Sequence, residues 1–542
     1  MPTKFGTLDW VILITYFIIV ASIGPWFARR NKSTESYFVG NRTFPAWLLG
    51  LAMFATSISS VTVVGYPGDA YKTAYLRWLP TLMLPFGIYI GWKCFLPFYR
   101  RNKCTSAYEY LESRFGNGVR TYVSVCSVIG QVLRIATILY LVSLVFQQMT
   151  GYEPYACILM GGCVIAIYTV LGGVSAIVWA QFLQAFVLWF GAIVCFVTII
   201  KGIDGGLGEV FRTGWADGKF MLGDLNPATG KVEHSPWVSI VNNNWFSLFN
   251  KSVVMMLVGG LAAWVGEYSC NQNVIQKYVS AKNPGTSLYV FFKQHPDPVA
   301  MDILTGANNA KPESILPRFC VTNIPTGLAG IVIAGILAAA MSASSASING
   351  ISAVFITDIY RRHLVKTGGE RHYVTIARLV SGISCVLMMG GALLFYRFSD
   401  LTLADFGARL GSVLGGGVLG VYILGFLTTR GTSRSVAIGI GVTLVYSLYT
   451  AIIEFNKITP EQFLAALHNF GSVLPAQLTP LVPSSTDTAT RILRPVHIYY
   501  AGLLGNLVTF MVAYGISCFF EPKRDLTGLT FWTQVKSDEE TA

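Results

Sequence analysis

Charged residues are scarce in this chain, and their scarcity excludes most soluble proteins. Asp, Glu, Lys and Arg make up 12% of the 542 residues, against 53% for hydrophobic residues. Soluble domains carry about 25% charged residues. The composition therefore predicts an integral membrane protein whose function resides within the bilayer.

The chain also lacks the motifs of ATP-driven pumps, serine hydrolases and zinc enzymes. It contains no GxxxxGK[ST], GxSxG or HExxH pattern, and these patterns mark a phosphate-binding loop, a nucleophilic serine and a catalytic zinc site. Its ten cysteines form no CxxC pair, and its six histidines lie in predicted loops or at helix ends. We therefore expect no enzymatic activity, no bound cofactor and no metal beyond a transported ion.

Long apolar segments make up most of the chain. The first run, Leu8 to Ala28, has no basic leader, which indicates a membrane helix rather than a cleaved signal peptide. Runs of about 20 apolar residues, the length that crosses a bilayer, lie near 8–28, 45–66, 75–98, 119–149, 154–173, 176–200, 245–276, 322–357, 373–396, 403–428, 434–453 and 494–519.

The basic residues give the orientation of these spans. The net charge of +12 would suit a nucleic-acid partner, but the charges cluster in short loops, as at Arg29 and Arg30 or at Arg361 and Arg362. This is the positive-inside pattern of cytoplasmic loops. It argues against nucleic acid as a partner and predicts a multi-pass protein of the plasma (inner) membrane, with the polar segment 202–240 outside.

One membrane crossing is missing from this topology. Lys282 and Arg361 both fall in cytoplasmic loops, and the single long span between them, 322–357, must begin outside. The chain between Asn283 and Pro317 therefore has to cross the membrane, yet its longest apolar stretch is SLYVFF at 287–292, which is far too short. We predict that one core helix is missing here.

Two spans are interrupted by glycine and polar residues near their centres. They read GLAMFATSISSVTVVGYPG at 50–68 and GGLAAWVGEYSCNQ at 259–272. A pair of broken helices at corresponding positions of two halves is typical of an inverted-repeat transporter with its site at the bilayer midplane. The sequence therefore predicts one transmembrane transport domain over 1–542, with an extra N-terminal helix at 8–28, a first repeat at 45–200, a second repeat at 245–428 and C-terminal helices at 434–519.

A polar stripe marks the span that ends at Arg361. Ser342, Ser345, Asn349 and Ser352 follow one another at spacings of three, four and three, and so share one helix face. Hydroxyls in hydrocarbon are costly unless they have a partner, and small oxygen ligands of this kind suit a hard cation such as Na⁺. The alternative is that these small residues permit close helix packing, with each serine bonded to its own backbone.

Six segments together resemble the solute:sodium symporter family, the group of sodium/glucose, sodium/proline and sodium/sialic acid cotransporters. The resemblance covers about residues 10–440, and it implies an all-α LeuT-type inverted-repeat bundle that transports a solute on a Na⁺ gradient. The segments are YFVGNRTFPAWLLGLAMFATSIS (37–59), TSAYEYLESRFG (105–116), LGGVSAIVWAQFLQ (171–184), NQNVIQKYVSAKN (271–283), LPRFCVTNIPTGLAGIVIAGILAAAMS (316–342) and GVLGVYILGFLTTR (417–430).

The resemblance also implies a sodium site. Its backbone-carbonyl ligands match Ala55, Ile58 and Ala339, and its first hydroxyl matches Ser342. The second hydroxyl position is occupied by Ala343, so this site is one ligand short. Some members carry a second sodium site built on an aspartate, whose position here is Gln181; Ser345 matches one of that site's hydroxyls, but Ala346 does not match another. The resemblance therefore implies that the second site is absent.

A charge in the middle of an apolar span points to the solute. Arg134 lies in the middle of an apolar helix, where a fixed charge is costly and marks function, and its planar fork can grip a carboxylate with two hydrogen bonds. In the sialic acid branch of the family a matching arginine binds the substrate carboxylate, beside hydroxyls that match Ser59 and Thr62. The alternative is an internal ion pair between Arg134 and Glu267, the one acid in the second broken helix.

These observations predict a Na⁺-coupled symporter of a small carboxylate-bearing solute, which works by alternating access as a monomer in the lipid bilayer. One alternative is a transport-inactive sensor, interaction protein or truncated product, motivated by the missing helix. Another is a Na⁺-independent or H⁺-coupled transporter of sugar or amino acid, motivated by Ala343 and Gln181, with Glu267 as the proton carrier.

Overall fold

A computed structural model gives the fold of the chain. It describes residues 5–28, 33–39, 44–45, 48, 51–52, 55, 61–72, 78–90, 93, 95, 107–220, 224–225, 232–233, 253–270, 315–398, 417–456, 498–521, 526 and 529–531. The predicted missing crossing between Asn283 and Pro317 falls largely outside these residues, which resume only at Ile315.

The described chain is built almost wholly from helices, because apolar segments in a membrane must satisfy their backbone polar groups internally. Two-residue strands β1 (Asp224–Leu225) and β2 (Val232–Glu233) pair antiparallel, with Asp224 opposite Glu233. The helices, in chain order, are α1 (Thr7–Ala28), α2 (Thr34–Val39), a π-helical turn (Val61–Gly65) leading into α3 (Tyr66–Lys72), α4 (Trp78–Leu82), α5 (Leu84–Ile90), α6 (Ala107–Phe115), α7 (Asn117–Thr150), α8 (Pro154–Lys201), α9 (Gly206–Ala216), α10 (Val253–Cys270), α11 (Ile315–Thr322), α12 (Leu328–Val354) with a π-helical continuation (Phe355–Leu364), α13 (Glu370–Phe398), α14 (Val418–Leu427), α15 (Ser433–Asn456) and α16 (Ile498–Phe520).

Helices long and apolar enough to cross a membrane confirm the membrane class. Six such spans occur among the described residues, at Thr7–Phe27, Asn117–Met149, Pro154–Lys201, Leu328–Leu364, Glu370–Arg397 and Gly502–Phe520. The first of them coincides with the predicted N-terminal helix.

The helix α8 contains two of the predicted spans, 154–173 and 176–200. Its 48 residues would extend over roughly 72 Å as one straight helix, more than twice the hydrocarbon core of about 30 Å. The break lies at Gly173, whose φ of 59° and ψ of −169° are accessible only to a residue without a side chain. Gly173 therefore separates two crossings, as the sequence predicts.

Three predicted boundaries need correction. The span placed at 322–357 begins at Leu328 instead, because α11 ends at Thr322 and a turn through Pro325 separates the two helices. The span at 75–98 is divided, with a turn at Met83 between α4 and α5. The first broken helix continues past its predicted end at residue 66, because α3 carries it to Lys72.

The chain divides into two compact units. The first comprises Met1–Trp78, Ser127–Ser235 and Asn271–Leu403. In it, α12 is buried along most of its length, and α1, α8 and α13 pack against it. Glycine, alanine and serine recur along α12, and such small residues let helix backbones approach closely.

A buried carboxylate joins two helices of the first unit. Asp9, in the first turn of α1, is fully buried. Its Oδ1 accepts hydrogen bonds from the backbone N–H groups of Gly327 at 2.7 Å and Gly330 at 2.6 Å, and its Oδ2 accepts from Gly6 at 2.9 Å. The first N–H groups of a helix lack partners within it and attract negative charge. Asp9 thus satisfies the N-termini of α1 and α12 together.

The second unit comprises Leu79–Cys126, Pro236–Cys270 and Ala404–Ala542. Here a buried cation satisfies the other end of a helix: the Arg114 guanidinium donates to the carbonyls of Thr428, Arg430 and Gly431, just after α14. Cations are stabilised at helix C-termini, where carbonyls lack partners. In the same unit α15 packs along α16, and α10 packs against α5.

Candidate ion and solute site

The serine stripe of α12 lies inside the first unit, as the sequence predicts for a functional face. Ser342, Ser345 and Ser352 are each fully buried, and Asn349 is partly exposed. Ser352 donates its hydroxyl to the carbonyl of Ala377 on α13 at 2.8 Å. Packing therefore accounts for Ser352, and the other two serines remain as ligand candidates.

The backbone of α12 is held by polar side chains at Met341 and Ser342. The Ser342 carbonyl accepts hydrogen bonds from Gln181 Nε2 at 3.2 Å and from Ser345 Oγ at 3.1 Å, and the Met341 carbonyl accepts from the Tyr168 hydroxyl at 2.7 Å. A serine that donates its proton keeps lone pairs for a cation. The bond from Ser345 to the backbone of its own helix, which the packing alternative predicts, therefore leaves its hydroxyl oxygen able to bind a cation.

The first broken helix approaches this part of α12. Val63, in the π-helical turn, packs against buried Ala339 and against Leu188 of α8. Ala55 is helical and buried. π-Helical turns frequently occur at functional sites because they alter the backbone hydrogen-bonding pattern. The structure therefore brings the broken helix next to Ala339, the carbonyl position predicted to bind sodium.

Three predicted residues of the first broken helix cannot be located in full. Ile58 and Ser59 lie outside the described residues. Thr62 lies in the π-helical turn Val61–Gly65, and its side chain is outside the described part. Their assignments as ion or solute ligands remain predictions.

The positions that depart from the family pattern are also buried. Ala343 is fully buried and brings no hydroxyl to α12. Gln181 is buried and presents its amide nitrogen, a donor, to the Ser342 carbonyl. This NH₂ group cannot coordinate a cation, and the side chain carries no negative charge in place of the family's aspartate. One turn further along α8, Gln184 is also buried.

Arg134 lies in α7, in the first unit, and its side chain is exposed in the fold between buried neighbours such as Ile135 and Ala136. One turn earlier, Gln131 Oε1 is buried without a hydrogen-bond partner among the described residues. Glu267 lies in α10, in the second unit, and its side chain is outside the described part. The predicted alternatives for Arg134, a substrate carboxylate or Glu267, therefore both stay open.

Trp264, near the middle of α10, has a packing role. Its indole N–H donates to the Pro80 carbonyl at 2.8 Å, and Gly87 of α5 lies against it with no room for a side chain. A tryptophan whose N–H is satisfied by backbone usually anchors two elements. Here it anchors α10 to α4 and α5 within the second unit.

Sequence reasoning missed several residues that shape the site. Tyr168 holds the Met341 carbonyl, Asp9 holds the start of α12, and Gln184 faces the same buried region. Tyr168 and Asp9 bond to residues more than 170 positions away in the sequence, and no local sequence pattern reveals such pairings. The two glutamines, spaced three apart on one face of α8, were a detectable signal.

The helical architecture resembles one class of solved transporter. A solved Na⁺-coupled sialic acid symporter superposes with a TM-score of 0.73 at 24% sequence identity, over 96% of this chain and 100% of that one. This likeness defines the class of fold: an all-α bundle with a LeuT-like architecture.

The family follows from sequence. The family model described as Sodium:solute symporter family matches residues 37–440, and the chain belongs to that family. Among its relatives, the sodium/sialic acid symporter SiaT of Proteus mirabilis is 29% identical over 469 residues, covering 81% of this chain and 89% of the relative. The human sodium/iodide cotransporter is 25% identical over an alignment covering 100% of this chain and 88% of the relative. The protein is thus a sodium:solute symporter by family, as the resemblance implied.

Proposed function

We propose that this protein carries a sialic-acid-like solute, or another carboxylate-bearing organic acid with hydroxyl groups, together with Na⁺. Sodium/sialic acid symporters stand among its relatives, and so do sodium-coupled monocarboxylate transporters. The main observation in favour of a carboxylate is Arg134. It is exposed in the middle of an apolar span, where contact with lipid alone would be costly for its charge. An anionic solute that enters beside it compensates this charge.

The residue next to Arg134 on the same helix face supports a solute with hydroxyls. The buried Oε1 of Gln131 lacks a partner within the described chain and accepts only hydrogen-bond donors. A carboxylate has none to offer at neutral pH, whereas a polyhydroxylated acid offers both groups. In this proposal Arg134 holds the carboxylate, Ser59 and Thr62 line the pocket, and Gln131 accepts from a hydroxyl. Glu267 is assigned to the pocket lining from the sequence.

In the proposed mechanism Na⁺ binds where the first broken helix meets α12, to the carbonyls of Ala55, Ile58 and Ala339 and the hydroxyl of Ser342, with Ser345 adjacent. Bound Na⁺ favours the state in which these two helices are held together, and the shift equals the difference in Na⁺ affinity between states. Loss of Na⁺ to a low-sodium cytoplasm then releases the inner side. The bonds from Gln181, Ser345 and Tyr168 to the adjacent carbonyls support a preformed ion site.

We also propose the domain organisation, the oligomeric state and the membrane in which the chain acts. The chain acts as one transport domain over 1–542, as a monomer in the lipid bilayer of the plasma (inner) membrane, with no enzymatic step, cofactor or nucleic-acid partner. A second candidate is transport without Na⁺ or coupled to H⁺. Buried Ala343 favours it, because it brings no hydroxyl where the family pattern has one, and Gln181 favours it, because it brings a neutral amide where that pattern has an aspartate.

The test is uptake of labelled solutes into proteoliposomes with and without an inward Na⁺ gradient. We expect the gradient to drive accumulation of sialic acid and to have little effect on its methyl ester, which lacks the negative charge. Equal accumulation of acid and ester would contradict the carboxylate assignment. Accumulation that follows a proton gradient instead would favour the second candidate, and absence of transport for all solutes would favour a sensor or truncated product.

A further inference from the structure

A fully buried lysine lies outside the membrane spans. Lys219 follows α9 in the segment predicted to be external, and none of its surface is exposed. Lysine is almost never fully buried unless its ammonium group is paired. Its Nζ donates a hydrogen bond of 2.7 Å to the backbone carbonyl of Tyr71. Both residues belong to the first unit.

The backbone at Lys219 is fixed by the end of α9. Gly218 adopts a left-handed conformation, with φ of 70°, and the N–H of Lys219 then reaches back to the Gly214 carbonyl at 2.8 Å. This is the usual way in which glycine ends a helix. Phe220 stacks on Phe211 of α9 and lies against Trp215. The backbone that bears the Lys219 side chain is therefore held in place by the end of α9.

The partner of Lys219 is the last turn of the first broken helix. Tyr71 lies in α3, which continues directly from the π-helical turn that contains Val63. The last carbonyls of a helix lack intrahelical partners and accept hydrogen bonds from nearby donors. One hydrogen bond thus connects the external loop to the helix that packs, at Val63, against the proposed ion ligand Ala339.

We propose that Lys219 is a positioning residue that holds α3 against the loop after α9, and that external pH governs the strength of this hold. The inference goes beyond the proposed function. It needs no particular solute, and it concerns the outer part of a helix that must move if access alternates.

The protonation of Lys219 supplies the pH dependence. Burial lowers the pKa of the Lys219 ammonium from its ordinary 10.5 to about 7, and the nearby Asp217 carboxylate opposes this shift. When α3 separates from the loop, Lys219 regains water and its ordinary pKa. The separated state therefore binds the proton more tightly. The contact is strongest above pH 10.5, weakens as pH falls from 10.5 to 7, and is constant below 7.

Other charged residues occur on the elements around Lys219. Glu209 and Arg212 of α9 pair with each other at 2.8 Å. Charged residues also occur on α3, at Asp69 and Lys72, and on α11, which packs against α3, at Arg318. Within the described chain, Asp217 is the charged group that acts on Lys219.

The experiment is hydrogen–deuterium exchange of the full-length protein in detergent, between pH 7 and pH 9, corrected for the intrinsic exchange rate. In the wild type, protection of backbone amides in residues 66–72 should fall by up to about 50-fold between pH 9 and pH 7. Lys219→Met should remove this dependence. The matched control is Lys201→Met, which changes an exposed lysine at the end of α8 and should keep the wild-type dependence.

A second variant tests the proposal independently if Lys219→Met fails to fold. Lys219→Arg retains a donor that does not lose its proton in this range, so protection of 66–72 should be pH-independent and low. Wild-type protection that does not change with pH, or a dependence that persists in Lys219→Met or Lys219→Arg, would overturn the proposal. Exchange requires neither solute nor Na⁺, so a failure of the transport proposal would leave this result intact.

Discussion

Two helices of the first unit carry the polar groups proposed to act in transport, and they present these groups in opposite ways. On α12, Ser342 and Ser345 are fully buried, and the adjacent carbonyls already accept hydrogen bonds from Gln181 and Tyr168. On α7, Arg134 is exposed in the fold. The proposed ion ligands thus lie beside carbonyls that protein donors already hold, whereas the proposed solute ligand, Arg134, has an exposed side chain.

This difference has a physical basis. A small cation gains most from ligands that are held at fixed distances before it arrives, because no ordering cost remains. An arginine that binds an anion from outside must stay accessible, because a fully buried pair loses the solvation of both charges. The comparison predicts that substitution of Arg134 on α7 alters solute transport and leaves the Na⁺ response unchanged. Substitution of Ser342 on α12 should alter the Na⁺ response and leave the affinity for the solute unchanged.

The largest effect is expected from Arg134→Ala. Removing a charged, bidentate donor should cost about 1.5–3 kcal/mol of binding to a carboxylate, which lowers kcat/KM for the solute by about 10–150-fold. The Na⁺ concentration for half-maximal uptake should change little, because Arg134 is not an ion ligand in this proposal. Uptake measured against solute at saturating Na⁺ provides the test, with Arg134→Lys as an intermediate variant. An equal loss of Na⁺ affinity would erase the distinction between the two helices.

A smaller effect is expected from Ser342→Ala. Loss of one hydroxyl ligand should raise the half-saturating Na⁺ concentration about tenfold, which corresponds to about 1.4 kcal/mol. The solute KM at saturating Na⁺ should be unchanged. Ser352→Ala is the matched control, since that hydroxyl lies on the same face and bonds to Ala377 of α13. If both variants respond to Na⁺ as the wild type does, Ser342 is not a ligand.

The smallest effect is expected from Ala343→Ser. Ala343 is fully buried beside Ser342 and occupies the position where the family pattern has a second hydroxyl. The added oxygen should lower the half-saturating Na⁺ concentration by about 2–5-fold, less than a full ligand, because a new atom in a packed site also introduces strain. Sodium titration of uptake measures it. A weaker Na⁺ response would mean that the site is complete without this hydroxyl.

Much of the membrane architecture was predictable from the sequence, because hydropathy reports span length directly. The N-terminal helix and the break between 154–173 and 176–200 are confirmed. The predicted start of α12 was six residues too early, because a turn through Pro325 separates Thr322 from Leu328 and hydropathy does not detect it. Burial of the serine stripe was also predictable from its spacing.

The contacts that shape the site were not predictable in the same way. The bonds from Gln181 to Ser342 and from Tyr168 to Met341 join residues 161 and 173 positions apart. Such pairings depend on which helix faces which, and periodicity within one helix carries no such information. The same limit applies to Lys219 and Tyr71, which are 148 positions apart. Polar residues in or near apolar segments identified candidates, whereas their partners required the fold.

The bridge made by Asp9 has a consequence for biogenesis. Its two backbone partners at the start of α12, Gly327 and Gly330, lie up to 321 residues further along the chain. At a synthesis rate of about 5–20 residues per second, Asp9 waits roughly 15–60 s after its own synthesis before those partners exist. A carboxylate is costly within hydrocarbon. During this interval Asp9 lacks the donors that α12 supplies in the folded protein, so a water-accessible position is the less costly one for its charge. The contact that encloses Asp9 therefore forms late in synthesis, long after the first helix has been made.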